Sequence, residues 1–201
     1  MSTNAALRPQ PTPAPVATVP ATATDPAPAV DGVPVRRWPG FTVRAPARPA
    51  PAAALHSIAA ATTVLLALVA IGAMIHEPVL IPPLAASAAL VHSAPTLPLA
   101  QPRNVVIGHL LGSAMGYAVL AAAGSSAWAA AVAAGLTLGL NMLARTPHSP
   151  AVATAVIIVL QTPAPGRFVP LLFGATVLLV LTGYAASRVR RKAPTYPVYW
   201  W

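Results

Sequence analysis

The 201-residue chain has only 7% charged residues against 56% apolar ones, where soluble domains carry about 25% charged. So few charges cannot clothe a water-soluble globule, and the composition places the protein in a lipid bilayer. Twelve Lys or Arg against three acids (Asp25, Asp31, Glu77) give +9, with nine of the twelve in two tails beside an apolar middle; this pattern orients membrane spans and argues against nucleic acid as the partner.

Residues 1–52 hold twelve of the 25 prolines and five arginines: Arg8, Arg36, Arg37, Arg44 and Arg48. Such a stretch favours extended polyproline conformations and cannot bury a core, so it is expected to be a disordered cytoplasmic tail. The first apolar run begins too late for a secretory signal. A basic, acid-poor transit peptide is the alternative, but the proline density opposes the amphipathic helix it would need.

Six apolar segments follow. Residues 55–75 are long enough to span a membrane, 83–93 are not, 104–123 and 127–144 are long, 150–161 are short between Pro150 and Pro163, and 168–186 form the last long run. At 1.5 Å per residue the two short segments cover about half of a roughly 30 Å hydrocarbon core. The expected fold is therefore all-α and polytopic, with four full spans and two half-helices. The domain covers residues 53–187, in two repeats of long helix, half-helix, long helix (55–124 and 127–187). A shift of 67 lays Pro83 and Ser87 on Pro150 and Thr154, and a shift of 64 lays Arg103 on Arg167. Residues 188–201 form a second cytoplasmic tail, with Arg188, Arg190, Arg191 and Lys192 as a basic stop. Its terminal aromatics belong either in the headgroup layer or in an unstructured end.

Basic tails at both ends make an even number of crossings. If extended segments complete the half-helices there are six, with eleven Lys or Arg inside and one outside; re-entrant half-helices leave four, with nine inside and three outside. Six crossings also make the two repeats inverted, a recurring transporter plan. The expected location is the plasma (inner) membrane.

The chemistry is expected at the breaks, because non-helical backbone at membrane depth needs protein or a water-lined cavity around it. Each half-helix start presents free N–H groups and partial positive charge, and two starts meeting would make an anion site. Ser149-Pro150 reads as one start, with a hydroxyl cap and a proline at the first position; Pro82-Pro83 begins the other without a polar cap. His148 stands just before one start, and Ser87 and Thr154 lie one turn into each half-helix. These hydroxyls could instead bond to carbonyls one turn back. His109 lines the pathway or bonds to another helix. Asn141 and Arg145 share a face leading towards His148, where Arg145 neutralises an entering anion or anchors the helix at the headgroups. Gly108, Gly112 and Gly116 permit close helix packing and a homo-oligomer contact. Glu77 is expected as a solvated loop acid, the alternatives being a pair with an arginine or a proton relay beside His76; His56 and His92 are expected at the interface.

Missing features narrow the function. There is no cysteine, hence no disulfide, thiolate metal site or iron–sulfur cluster. There is no phosphate-binding glycine loop, zinc-binding HExxH, nucleophile elbow or carboxylate dyad. No cofactor, metal or enzymatic activity is expected, and so few acids leave little with which to couple transport through carboxylates.

The stretch Pro98-Leu99-Ala100-Gln101-Pro102-Arg103-Asn104-Val105, followed by Gly108-His109, resembles the HPP family, named for a His-Pro-Pro tripeptide. His148-Ser149-Pro150 with Ala151-Val152-Ala153-Thr154-Ala155 is similar to the segment bearing the tripeptide, and Ala86-Ser87-Ala88 to an earlier small-residue run. The resemblance covers about residues 55–187, with Ser149 in place of the first proline. It implies a small integral membrane protein with four spans; some members are linked to nitrite transport in chloroplasts and cyanobacteria. The resulting expectation is a transporter or channel for a small, nitrite-like inorganic anion. Its site would be Ser149, Pro150 and Thr154 facing Pro83 and Ser87, flanked by His148 and His109. The competing expectation is a membrane scaffold that packs through the glycine face and recruits soluble proteins with its Pro/Arg tail.

Overall fold

The computed structural model describes residues 47–189 and 194–200. The disorder expected of residues 1–46 and the basic residues Arg190, Arg191 and Lys192 lie outside them. Six α-helices follow in order: α1 Pro51–Ile75, α2 Pro82–Ser93, α3 Pro102–Ala123, α4 Ala127–Leu143, α5 Ser149–Gln161 and α6 Pro165–Val189, with a 3-10 turn at Pro98–Ala100. The first helix starts at Pro51, so the expected tail is already helical before residue 52.

Proline explains most of the starts. Pro51, Pro82, Pro102 and Pro150 occupy the first turns of α1, α2, α3 and α5, where a missing N–H costs nothing. At α4 a side chain caps the start, the Ser126 hydroxyl accepting from the Ala129 N–H at 3.1 Å. Left-handed residues end two helices, His76 after α1 and Thr162 after α5.

Among the described residues three helices, α1, α3 and α6, are long and apolar enough to cross a membrane; α4, expected as a fourth full span, is shorter at 17 residues. At 12 and 13 residues, α2 and α5 rise about 18–20 Å. Large apolar side chains stand outward, with Trp128 86%, Leu143 84% and Met74 80% exposed; a surface like this belongs against lipid.

Three apolar cores hold the helices, a smaller one joining Val91 of α2, Val105 of α3 and Val180 of α6 with Tyr196. Val64 and Leu68 of α1, Leu84 and Ala88 of α2, and Leu172 and Leu179 of α6 share one core. Val119 of α3, Ala130 and Ala133 of α4, and Val159 of α5 share another. The α3 glycines make α5 a close neighbour: a Cβ on Gly112 would strike the Ala151 carbonyl, and one on Gly116 would meet Ala155 Cα at 3.0 Å. This corrects the oligomer expectation, because Gly108, Gly112 and Gly116 are buried within the chain and offer no face to a second copy. The scaffold reading loses the same face.

The bundle has two distinct ends. At one, His56 Nε2 lies 3.0 Å from the Ala186 carbonyl, and Arg103 donates to the carbonyls of Ala144 at 3.0 Å and Arg145 at 3.3 Å. At the other, Arg167 pairs with Glu77 at 2.7 Å, and the Tyr117 hydroxyl donates to the Pro163 carbonyl at 3.1 Å.

Candidate functional site

Two residues of stiff extended backbone decide where the site forms. Ile81 before α2 and His148 before α5 are both extended, at φ −119° and −150°, as a residue preceding or approaching proline tends to be. Both helix starts are buried, with Ile81 9% and His148 3% exposed and Pro83 and Pro150 among the buried residues. One turn into α2 and α5 lie Ser87 and Thr154, both 0% exposed.

His109 of α3 joins them. Its Nε2 is 2.8 Å from Ser87 Oγ and its Nδ1 2.7 Å from Thr154 Oγ1. His148 completes the group: Nε2 lies 2.9 Å from Ser87 Oγ, and Nδ1 is 2.7 Å from the Leu99 carbonyl. The two imidazole rings meet edge to face, with centroids 4.8 Å apart. Four side chains from three helices and the α5 start thus form one buried hydrogen-bonded chain. The local alternative is also within reach for Ser87, whose Oγ is 3.0 Å from the Pro83 carbonyl. For Thr154 the corresponding distance to the Pro150 carbonyl is 3.5 Å, too long for a strong bond. Pro83 and Pro150 are buried and contribute these carbonyls.

Asn141 of α4 borders the cluster across Gly108, where a Cβ would meet His148 Cβ at 2.8 Å and Asn141 Oδ1 at 3.5 Å. Asn141 is 2% exposed. Its Oδ1 accepts from the Thr146 hydroxyl at 3.0 Å, while its amide nitrogen is buried without a partner among the described residues. Thr137, one turn earlier on α4, likewise has a buried hydroxyl without a partner. Buried donors left this way cost roughly 1–3 kcal/mol each, which marks the position as chemically demanding.

Two expected site residues stand elsewhere. Ser149 is the first residue of α5, is exposed and makes no capping bond; His148 holds the cap position. The cap rule favours a hydroxyl there, but the extended backbone falls one residue earlier. Arg145 is exposed, at φ +57°, and its carbonyl accepts from Arg103 at the end of the bundle. Glu77 pairs with Arg167, and His92 is 7% exposed inside the bundle, near the Thr182 hydroxyl at 3.5 Å.

Sequence reasoning missed the residues that fix the Leu99 carbonyl. Gln101, 0% exposed, donates to the Pro95 and Leu97 carbonyls at 2.8 and 2.9 Å and accepts from the Val198 N–H at 2.9 Å. Asn104 donates to the Pro98 carbonyl at 2.6 Å. The Tyr196 hydroxyl donates to the Ala100 carbonyl at 2.9 Å, so the aromatic tail straps this loop; with Tyr196 2% exposed, that part of it is neither unstructured nor spread in a headgroup layer. Two side-chain amides within the Gln101-Pro102-Arg103-Asn104 string, between apolar runs, were the signal that could have found them.

The family description "HPP, transmembrane region" matches residues 46–197. Two transmembrane proteins of Dictyostelium discoideum are similar. One is 37% identical over 132 residues, covering 61% of this chain and 46% of that protein; the other is 35% identical over 126 residues, covering 58% and 40%. The chain thus spans less than half the length of either relative. No solved structure matches.

Proposed function

The chain belongs to the HPP family of transmembrane proteins, and from that premise we propose that it moves a small, nitrite-like inorganic anion past the Ser87–His109–His148–Thr154 cluster, with no chemical conversion. The observation that carries the reading is the buried, unpartnered Asn141 amide beside His148. An N–H donor without a partner inside a bundle suits an acceptor that comes and goes. The first turns of α2 and α5 add free N–H groups and helix dipole of the sign an anion needs.

In this reading the protein has two inverted repeats, α1–α3 and α4–α6, in six crossings, with the non-helical segments 76–81 and 144–148 completing α2 and α5. The packing groups support it: exchanging the repeats converts α1, α2, α6 into α4, α5, α3, two of the three cores observed. The arginines support it too. Arg103 reaches the carbonyl of Ala144, and its repeat partner Arg167 reaches Glu77, which the shift of 67 lays on Ala144. Arg103 and Arg145 lie at the end of the bundle where α1 starts and α6 finishes, Arg167 at the other; we assign the first to the cytoplasm of a plasma (inner) membrane.

The test is flux of nitrite, nitrate, formate and chloride into phosphatidylcholine vesicles at mildly alkaline pH, where little permeant acid exists. Wild type is expected to pass at least one of these anions, and His148→Ala to pass it about tenfold or more slowly, as loss of a buried charged-group hydrogen bond predicts. Equal flux in both removes His148 from the mechanism; absence of any anion flux removes the transport class.

A further inference from the structure

We infer that each anion crosses together with one proton held on His148, which makes transport electroneutral; this rests on the anion-transport reading above. One atom of the cluster has no choice of role. The Leu99 carbonyl can only accept, so His148 Nδ1, 2.7 Å away, carries its hydrogen. A neutral His148 then has its lone pair on Nε2, and the Ser87 hydroxyl at 2.9 Å must donate to it. With its single hydrogen used, Ser87 Oγ accepts from His109 Nε2–H at 2.8 Å. His109 Nδ1 is left to accept from the Thr154 hydroxyl at 2.7 Å. Every donor is matched, and the chain is neutral and runs one way, from Thr154 to Leu99.

A neutral chain is a poor host for a buried anion, because an ion without a counter-charge is very costly to bury. Around His148 stand Ser87 of α2, Gly108 and His109 of α3, Asn141 of α4 and the Leu99 carbonyl; His109 is the sole titratable group among them. Arg103 is committed to carbonyls at the end of the bundle and Arg145 is exposed. The counter-charge therefore comes from a proton on an imidazole.

Distances choose which one. When His148 gains a proton at Nε2, the Ser87 hydroxyl turns to the Pro83 carbonyl, 3.0 Å away, and its oxygen accepts from both imidazoles. A proton on His109 Nδ1 would instead turn Thr154 towards the Pro150 carbonyl at 3.5 Å, a much weaker alternative. Rings with centroids 4.8 Å apart do not both carry charge. The cycle balances simply. A proton from water forms the Nε2–H bond as the anion enters, that bond breaks when both leave, and no electrons change hands.

The test follows anion and proton in the same vesicles. Wild-type protein in phosphatidylcholine vesicles receives an inward nitrite gradient, with the membrane potential held at zero by equal potassium and valinomycin. Luminal nitrite is assayed chemically and luminal pH by a trapped dye, with protein-free vesicles subtracted for permeant nitrous acid. One proton per nitrite is expected, and in Ser87→Ala the coupled flux falls about tenfold or more. Nitrite entry without luminal acidification, or a Ser87→Ala flux within about threefold of wild type, overturns the inference and leaves the transport reading intact. No nitrite entry overturns the reading and the inference with it. Nitrogen-15 histidine spectra of the wild-type protein in lipid give an arm that needs no variant: the hydrogen is expected on Nδ1 of His148 and Nε2 of His109, and the opposite tautomers overturn the relay.

Discussion

Gly112 and Gly135 sit on neighbouring helices in opposite surroundings. A Cβ on Gly112 would meet the backbone of Ala151, which cannot swing aside, whereas around Gly135 there is nothing within 4 Å. Gly112→Ala should therefore cost about 1–3 kcal/mol of stability, as overpacking does. Gly135→Ala should be neutral or gain up to about 1 kcal/mol from helix propensity. Thermal unfolding in detergent checks both, and a wild-type midpoint for Gly112→Ala would disprove the close approach of α3 and α5. At this scale the site is partly legible in the sequence. Ser87, Thr154 and His148 stand out because prolines mark where the two short helices begin. Ser149 misleads, because a one-residue offset in the extended backbone moves the cap to His148. Arg145 misleads because spacing along a helix says nothing about a left-handed residue two positions past its end.

Between elements, the strongest long-range ties are polar ones that no periodicity announces. All six helices lie within a few residues of the apolar runs, since lipid exposure writes hydrophobicity directly into the sequence. The strap from residues 194–200 to the loop at 94–101 leaves no such trace, because its partners are about a hundred residues apart. Burial pushes the Tyr196 phenol up from its usual range. The folded state therefore favours the neutral phenol, so its contribution is intact below about pH 10 and is lost as the pH rises beyond that. Tyr196→Phe leaves the Ala100 carbonyl without its donor and should cost about 1 kcal/mol near neutral pH. Unfolding midpoints of both proteins from pH 7 to 11 should differ most below pH 10 and converge above it. A constant difference across that range would show that the phenol proton has no part in holding the strap.

For the whole molecule, the number of crossings determines whether the two helix starts come from opposite sides of the membrane, and with it the transport geometry. The contacts place the loop at 94–101 against the end of α6, through Tyr196 and Ala100, and Thr162 and Pro163 beside the opposite end of α3. Single cysteines can read this directly, because the chain has none of its own. Thr96, Ser125, Pro147 and Gly166 are all exposed, so each tolerates the change with little loss of stability. With six crossings, Thr96→Cys and Pro147→Cys react with an impermeant maleimide from the side that carries Arg188, while Ser125→Cys and Gly166→Cys react from the other. Re-entrant half-helices reverse three of these, leaving Ser125→Cys alone on the Arg188 side. The first pattern keeps α2 and α5 antiparallel across the bilayer, with Ser87 reached from one face and Thr154 from the other. Under the second pattern both short helices would open to the same side, and a relay between two faces through His109 would have no second face to serve.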